Sequence, residues 1–166
     1  MRIVTLFLLT TLTACGFEPV HGTKDAEHYA HKSPLAPIEV EVQNKDRMGQ
    51  LFRIALEDAL HPDNRYPTPE YTLTTTLEEI KQPIIIERDA RITRYNLILR
   101  ATYSLQHIES AEFIAKNKRS QRISSYNVSD SDFATFVADR EARERGIETL
   151  ARNMSMELIT LLRAKP

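Results

Sequence analysis

The 166-residue chain contains a single cysteine, Cys15, no tryptophan and only four glycines. One thiol cannot close an intramolecular disulfide, so the fold must be stable through its hydrophobic core alone. The formal net charge of −1 at pH 7 gives no reason to expect a nucleic-acid partner. After Cys15, no apolar run approaches the roughly 20 residues that a membrane-spanning helix needs. These absences leave a single domain held together by ordinary apolar packing.

The start of the chain has the pattern of a bacterial lipoprotein signal. A positive Met-Arg start precedes an apolar stretch at residues 3–12, and residues 12–15, LTAC, match a lipobox. The pattern predicts a signal peptide at residues 1–14 and a mature N-terminus at Cys15 that carries S-diacylglycerol and N-acyl lipid, palmitate included, as a membrane anchor. Gly16 stands where aspartate would favour the inner membrane, so we expect the outer membrane, facing the periplasm.

Residues 15–37 are rich in proline and charge, which predicts an extended tether between the lipid and a domain at residues 38–166. His21, His28 and His31 fall within this tether. They have no carboxylate partners at metal-ligand spacing, so no metal site is expected there.

Hydrophobic periodicity in the domain predicts the order β-α-β-β-β-α. Alternating segments cover residues 37–44, 70–81, 91–106 and 112–126. A helical stripe covers residues 45–62, with Asp46 as the N-cap and Pro62 ending the helix. Ser129, Asp130 and Ser131 are alternative N-caps for a longer helix that runs to about residue 164. Pro83 and three isoleucines are predicted to lie in a connection between the second and third strands.

Each predicted strand has one apolar face, and two amphipathic helices are available to cover it. We therefore expect an α+β fold, a two-layer sandwich of one four-stranded mixed sheet with both helices on one face. The first two strands should be parallel through a right-handed crossover, and the others should form an antiparallel meander. The opposite face of the sheet is then left uncovered by the chain.

Two elements give less regular patterns. In the fourth strand Phe113, Ala115 and Ile123 are the predicted inward positions, and a bulge or turn is expected near Asn117. The last helix has a predicted apolar stripe made of Phe133, Phe136, Val137, Ile147, Leu150, Ala151, Met154, Leu158, Leu161 and Leu162. The intervening DREARERG is predicted to be solvated, and its glycine, Gly146, could permit a bend.

The sequence contains no phosphate-binding loop, nucleophile elbow or spaced metal-ligand cluster. His61 and His107 fall at the ends of elements, where solvated histidines are common, so neither is expected to be catalytic. The chain does not have the pattern of an enzyme, and no cofactor is expected beyond the lipid on Cys15.

Basic residues on the third and fourth strands are the most informative feature of the open face. If these strands form a hairpin, cationic side chains cluster there: Arg94, Arg100, Lys116, Lys118 and Arg122. Guanidinium groups offer forked donors that suit phosphate or carboxylate ligands. The alternative interpretation is a solvated face whose charges discourage aggregation between sheet edges.

Two stretches resemble the LptE family of lipopolysaccharide-assembly lipoproteins in its alphaproteobacterial form. The tether start CGFEPVHG matches the family spacing at Cys15, Gly16, Phe17, Pro19 and Gly22. Glu18 and His21 depart from the residues common in the family. The strand RITRYNLILRATYSL is also similar. The entry to the last helix matches at Tyr126, Asp130, Ser131, Phe133, Ala134 and Thr135.

The resemblance implies a non-catalytic outer-membrane protein with a two-layer fold. Such proteins sit inside the lumen of the β-barrel LptD, assist assembly of the barrel and insertion of lipopolysaccharide into the outer leaflet, and bind this anionic glycolipid. The basic side chains listed above then become candidate lipopolysaccharide ligands. Two other hypotheses stay open: a periplasmic outer-membrane lipoprotein with small-ligand-binding or hydrolytic activity, and a purely structural lipoprotein of the envelope.

Overall fold

The computed structural model describes residues 37–62, 68–86 and 92–164. The predicted signal peptide, Cys15 and nearly all of the predicted tether lie outside these ranges. The elements are β1 (Ile38–Val42), α1 (Arg47–Leu60), β2 (Tyr71–Ile86), β3 (Ile92–His107), β4 (Phe113–Asn127) and α2 (Asp132–Arg163). The predicted order β-α-β-β-β-α is confirmed.

The strands form one four-stranded sheet in the order β1-β2-β3-β4. β1 runs parallel to β2, with Ile38 opposite Tyr71, and α1 makes the connection that a parallel pair requires. β2, β3 and β4 pair antiparallel. The α+β fold predicted from the periodicity, a mixed sheet with two helices, is therefore confirmed.

Both helices begin at side-chain caps. The carboxylate of Asp46 accepts a hydrogen bond from the Gly49 amide at 2.8 Å, and the Ser131 hydroxyl accepts one from the Ala134 amide at 3.3 Å. These bonds satisfy N–H groups that a helix start leaves without partners. No helix in the described ranges carries an apolar segment long enough to span a bilayer.

A single apolar core lies between the helices and one face of the sheet. Alternate residues of each strand point into it, as the period of two requires. Its fully buried large side chains are Phe52, Leu56, Leu60, Leu73, Leu97, Leu99, Leu105, Ile147, Leu150, Met154 and Leu158. The face of β3 predicted to be apolar is the face that packs on the helices.

β2 is longer than predicted, since it continues through Pro83 to Ile86 instead of ending in a connection. β1 pairs only as far as Thr75, and beyond it the Asn44 side chain donates to the Leu77 carbonyl at 3.0 Å and accepts from the Leu77 amide at 2.7 Å. Residues an even number of positions after Leu77 direct their backbone groups to this same edge. The missing N–H of Pro83 therefore removes no bond to β3.

β4 contains the expected bulge at Asn117, whose φ is 50°. The pairing with β3 shifts there by one residue, between Tyr103 and Leu105. Such a shift exchanges the two faces of the strand. Ala115 is buried as predicted, but the inward positions predicted for Phe113 and Ile123 are wrong, because both side chains are exposed. A second shift, between Leu105 and Gln106, places Phe113 opposite Gln106 on the uncovered face.

The apolar stripe of α2 begins later than predicted. Phe133 and Phe136 are 77% and 61% exposed, and the buried positions start at Ala142. Gly146 lies inside the continuous helix and is buried against the sheet. A Cβ atom at this position would lie 2.7 Å from Leu99 Cδ1 and 3.0 Å from Ser124 Oγ. Gly146 therefore serves close packing of the helix on the sheet.

Candidate functional site

The candidate site is the face of the sheet opposite the helices, which no described element covers. Cross-strand partners point to the same side of a sheet, so the register arranges this face in rows. The central row is apolar and consists of Ile80, Ile98 and Ile123 on three successive strands. Ile123 is 46% exposed, and the other two side chains are half-buried.

Polar rows flank the isoleucine row on both sides. One contains Glu78, Arg100 and Gln121; the other contains Gln82, Asn96 and Ser125. The face is thus amphipathic, with an apolar strip between hydrogen-bonding groups. A flat amphipathic surface of this kind suits a ligand that has both acyl chains and a polar headgroup.

Three of the five predicted basic residues lie on this face. Arg94 is exposed near the N-terminal end of β3, opposite Asn127. Arg100 lies beside the isoleucine row, where its guanidinium is 3.3 Å from Glu78 and donates to the Gln121 side chain at 3.4 Å. Ion pairs this exposed contribute little to stability. An anionic ligand can therefore replace Glu78 as the partner of Arg100.

Lys116 occupies the opposite end of the face. Its ammonium lies 5.1 Å from the centroid of the Phe113 ring, a cation–π contact. Phe113 is paired with Gln106, which also points outward. Arg94 and Lys116 therefore mark two ends of the face.

The shared open-face position predicted for Lys118 and Arg122 is wrong. They pair with Tyr103 and Leu99, whose side chains are buried on the helix side, so the bulge has turned both cations toward that side. Arg119, which the sequence analysis missed, is exposed on the open face opposite Thr102. It lies diagonally from Arg100, at about 7–8 Å between Cα atoms. The one-residue shift at Asn117 was the signal that could have identified it.

A charged network that the sequence analysis also missed ties α2 to β2 on the helix side. Arg143 donates from Nε and Nη2 to the two carboxylate oxygens of Glu79, at 2.6 and 3.0 Å. Its Nη2 also donates to Asp139 at 2.8 Å, and Asp139 is 2.9 Å from the ammonium of Lys81. The DREARERG segment is solvated as predicted only in part: Arg140, Glu141 and Arg145 are exposed, whereas Asp139, Ala142, Arg143 and Gly146 face the sheet.

The network shifts the pKa values of its members. Burial acts to raise the pKa of Asp139, but hydrogen bonds from Lys81, Arg143 and Tyr126 outweigh burial and lower it below its ordinary value. The hydrogen bonds to Glu79, with smaller contributions from Asp139, raise the pKa of Arg143. Burial and the hydrogen bond to Asp139 raise the pKa of Tyr126 to about 12. At neutral pH, Asp139 and Arg143 are therefore charged and Tyr126 is neutral.

A second polar contact joins the middle of the sheet to the C-terminal half of α2. The Glu157 carboxylate accepts one hydrogen bond from the Tyr103 hydroxyl and one from the Ser120 hydroxyl, each at 3.1 Å. Burial, and then the nearby Glu157 charge, raise the pKa of Tyr103 to about 12. The carboxylate is thus satisfied by hydroxyl groups.

The outer surface of the helix pair carries two grooves, of about 500 and 370 Å³. The larger is lined by aliphatic residues and by Asp58, Glu144, Glu148 and Arg152, with no histidine. Glu144 and Glu148 form ion pairs with Arg140 and Arg152. Within the described residues, no cluster of histidine, cysteine or carboxylate side chains has a geometry that could hold a metal ion.

The two described histidines lie at element ends. His107 ends β3, where its ring stands edge-on to Tyr71 with 5.1 Å between centroids, and its Nδ1 contacts Ser110. His61 follows the last residue of α1. Neither histidine is among the residues that line the two grooves.

Comparison with protein families gives a match over residues 35–162 to the LptE family, described as lipopolysaccharide-assembly. The chain belongs to the LptE family. The match includes every described strand and helix apart from the final residue of α2. No curated protein matches the sequence of this LptE-family chain.

Solved structures share the fold. A candidate lipoprotein from Caulobacter crescentus is 25% identical and aligns with a TM-score of 0.64 over 81% of this chain and 96% of its own. A minor lipoprotein from Acinetobacter baumannii is 13% identical, with a TM-score of 0.58 over 74% and 91%. Lipoprotein B from Nitrosomonas europaea is 11% identical, with a TM-score of 0.61 over 78% and 85%. The last two likenesses concern the fold alone.

Proposed function

We propose that this LptE-family chain is a non-catalytic outer-membrane lipoprotein that presents its open sheet face to lipopolysaccharide. It is anchored by lipid on Cys15 and lies within the lumen of the barrel protein LptD, whose assembly it assists. The observation that carries the proposal is the amphipathic face, where an isoleucine row lies beside cationic side chains. Membership of a lipopolysaccharide-assembly family supports it.

The ligand chemistry follows from the rows of this face. Arg94, Arg100 and Lys116, joined by Arg119, supply cations for the anionic groups of the glycolipid. Ile80, Ile98 and Ile123 supply apolar surface for acyl chains. Burial of apolar surface stabilises such a complex by roughly 25 cal/mol per Å². The two kinds of contact together would favour an anionic amphiphile over a simple anion.

Charge reversal tests the glycolipid part of the proposal. We expect Arg94→Glu/Arg100→Glu to weaken binding of purified lipopolysaccharide at least tenfold, because attraction becomes repulsion on an exposed face. The matched control is Arg140→Glu/Arg145→Glu on the solvent side of α2. Binding is measured by surface plasmon resonance, and folding by circular dichroism. Unchanged binding by the folded double variant would contradict this use of the face.

Site-specific crosslinking tests the partner. A photoreactive residue in place of Gln121, on the open face, should capture LptD in intact membranes, whereas one in place of Asn153, exposed on α2, gives the comparison. Capture of unrelated proteins only, from both positions, would contradict placement within the barrel.

A further inference from the structure

The free edge of β4 has a charge distribution unlike the rest of the described domain. Lys118, Arg119 and Arg122 are exposed, and none forms an ion pair with another described residue. On α2, by contrast, most arginines pair with a carboxylate four residues away. β4 itself contains no acidic residue. The last strand of the sheet is therefore an unbalanced basic edge.

These cations lie on both faces of the strand. Lys118 and Arg122 point to the helix side, about 14 Å apart at 3.4 Å per residue, whereas Arg119 points to the open face. On the helix side, the carboxylate of Glu157 accepts hydrogen bonds from the hydroxyls of Tyr103 and Ser120, a cross-strand neighbour of Lys118 and a residue of β4. A small anion bound to either face of the sheet could reach only the cations on that face.

A β-strand from another chain, added beside β4, could contact Lys118, Arg119 and Arg122 together. β4 is the terminal strand, and from residue 118 to residue 127 it pairs with β3 without a shift, so alternate residues offer backbone groups to an incoming chain. Side chains of an added strand alternate between the faces, and directly opposed side chains lie about 5 Å apart. Carboxylates on both faces of that strand would then pair with cations on both faces of β4.

We propose that residues 118–127 of β4 form a docking edge for an extended acidic segment of another protein, bound by strand addition. A second copy of this chain fits less well. Its acidic edge strand, β1, carries Glu39 and Glu41 on one face only, with Ile38, Val40 and Val42 on the other. β1 could complement Arg119 but would place aliphatic side chains against Lys118 and Arg122. This inference does not require the proposed glycolipid binding, and Arg119 is the one cation that the two proposals share.

The probe is a fluorescent ten-residue peptide of threonine and valine with glutamates at its sixth, ninth and tenth positions. Laid antiparallel, these glutamates oppose Arg122, Arg119 and Lys118 on the correct faces. With the full-length lipidated protein in detergent micelles, we expect saturable binding by fluorescence anisotropy and slower hydrogen exchange of β4 amides. Lys118→Glu/Arg122→Glu should weaken binding at least tenfold, and Arg119→Glu several-fold.

The matched control for charge is Lys45→Glu/Arg47→Glu, which reverses two exposed cations that have no ion pair among the described residues. It should bind the peptide normally. Two further peptides, N-methylated at their odd or even positions, test the backbone. Strand addition uses alternate amides, so one methylated peptide should bind at least tenfold more weakly than the other.

Three results would overturn the proposal. Equal affinity for both methylated peptides would show that charge alone attracts the probe. Displacement of the peptide by equimolar inorganic phosphate would show a phosphate site instead. Protein self-association in sedimentation that is abolished by the peptide would show that a second copy takes the edge. Because no lipopolysaccharide is present, failure here leaves the test of the open face intact.

Discussion

Gly146 sets how closely α2 approaches the sheet, and it does so because it has no side chain. Replacement by alanine would normally favour a helix by about 1 kcal/mol. Here the added Cβ would lie 2.7 Å from Leu99 Cδ1 and 3.0 Å from Ser124 Oγ, in a buried interface. We expect Gly146→Ala to lower the free energy of unfolding by about 1–3 kcal/mol, as overpacking of cores does. Urea denaturation measures it.

The control is Asn153→Ala, an exposed position on the same helix. It gains helix propensity with no new contact, so its stability should equal or exceed that of the wild type. If Gly146→Ala is also stabilised, the helix has room to move outward, and close approach at this position is not required.

Asp139 is a partly buried charge whose carboxylate is held by three side chains: Lys81, Arg143 and Tyr126. Removing its charge in Asp139→Asn leaves Lys81 and Arg143 short of a carboxylate partner. At pH 7 we expect a loss of about 1–3 kcal/mol in the free energy of unfolding, the range for hydrogen bonds to charged groups.

The pH dependence of that loss has a definite sign. The pKa of Asp139 is lower in the folded protein than in the unfolded chain, so its stabilisation is complete above the ordinary value near 4. It disappears as pH falls through the folded pKa. The stability gap between wild type and Asp139→Asn, measured by urea denaturation, should therefore narrow below about pH 4. Glu141→Gln, in an exposed pair on α2, is the control and should show little gap at any pH. A gap that stays constant down to pH 2 would exclude this charge effect.

Sequence periodicity determines the buried face of most elements of this fold, but not that of β4. β1, α1 and most of β3 follow a regular period, and their buried faces are those that the sequence predicts. β4 does not, because one extra residue at Asn117 exchanges the faces on its two sides, and periodicity alone cannot locate the exchange to a single residue. That uncertainty explains why Ile123, Lys118 and Arg122 were assigned to the opposite faces, and a second shift, between Leu105 and Gln106, has the same effect on Phe113.

The first turns of α2 were mispredicted for a related reason. Their phenylalanines fit an apolar stripe, but this half of the helix is joined to β2 by the ion pairs of Arg143 and Asp139 instead of by apolar packing. The signal was present in β2, since the inward alternation of Leu73, Thr75 and Leu77 continues through Glu79 and Lys81. Glu79 and Lys81 find their charged partners on α2, in Arg143 and Asp139.

The domain as a unit has one face closed by helices and one face open, and its charges are distributed unevenly between the sheet edges. Glu39 and Glu41 lie on the first strand, and the basic residues of the sheet other than Lys81 lie on the third and fourth. Because of this asymmetry, both proposed anionic partners bind toward the basic side of the sheet: a glycolipid on the open face and an acidic segment at the edge of β4. The two proposed contacts share only Arg119, so they would compete for that one side chain and otherwise use different residues.

Attachment to a membrane concerns the whole chain and depends on Cys15, which lies outside the described residues. An acyl chain contributes about 0.8 kcal/mol per buried CH₂ group, so loss of the lipid should release the protein from membranes if no partner retains it. We expect Cys15→Ser to abolish incorporation of radiolabelled palmitate and to move the protein from the outer-membrane fraction to the soluble fraction on sucrose gradients, with the circular dichroism of the domain unchanged. Gly16→Asp is the matched variant: it should keep the label but shift the protein to the inner-membrane fraction. Palmitate labelling that persists in Cys15→Ser would exclude this cysteine as the lipid attachment site.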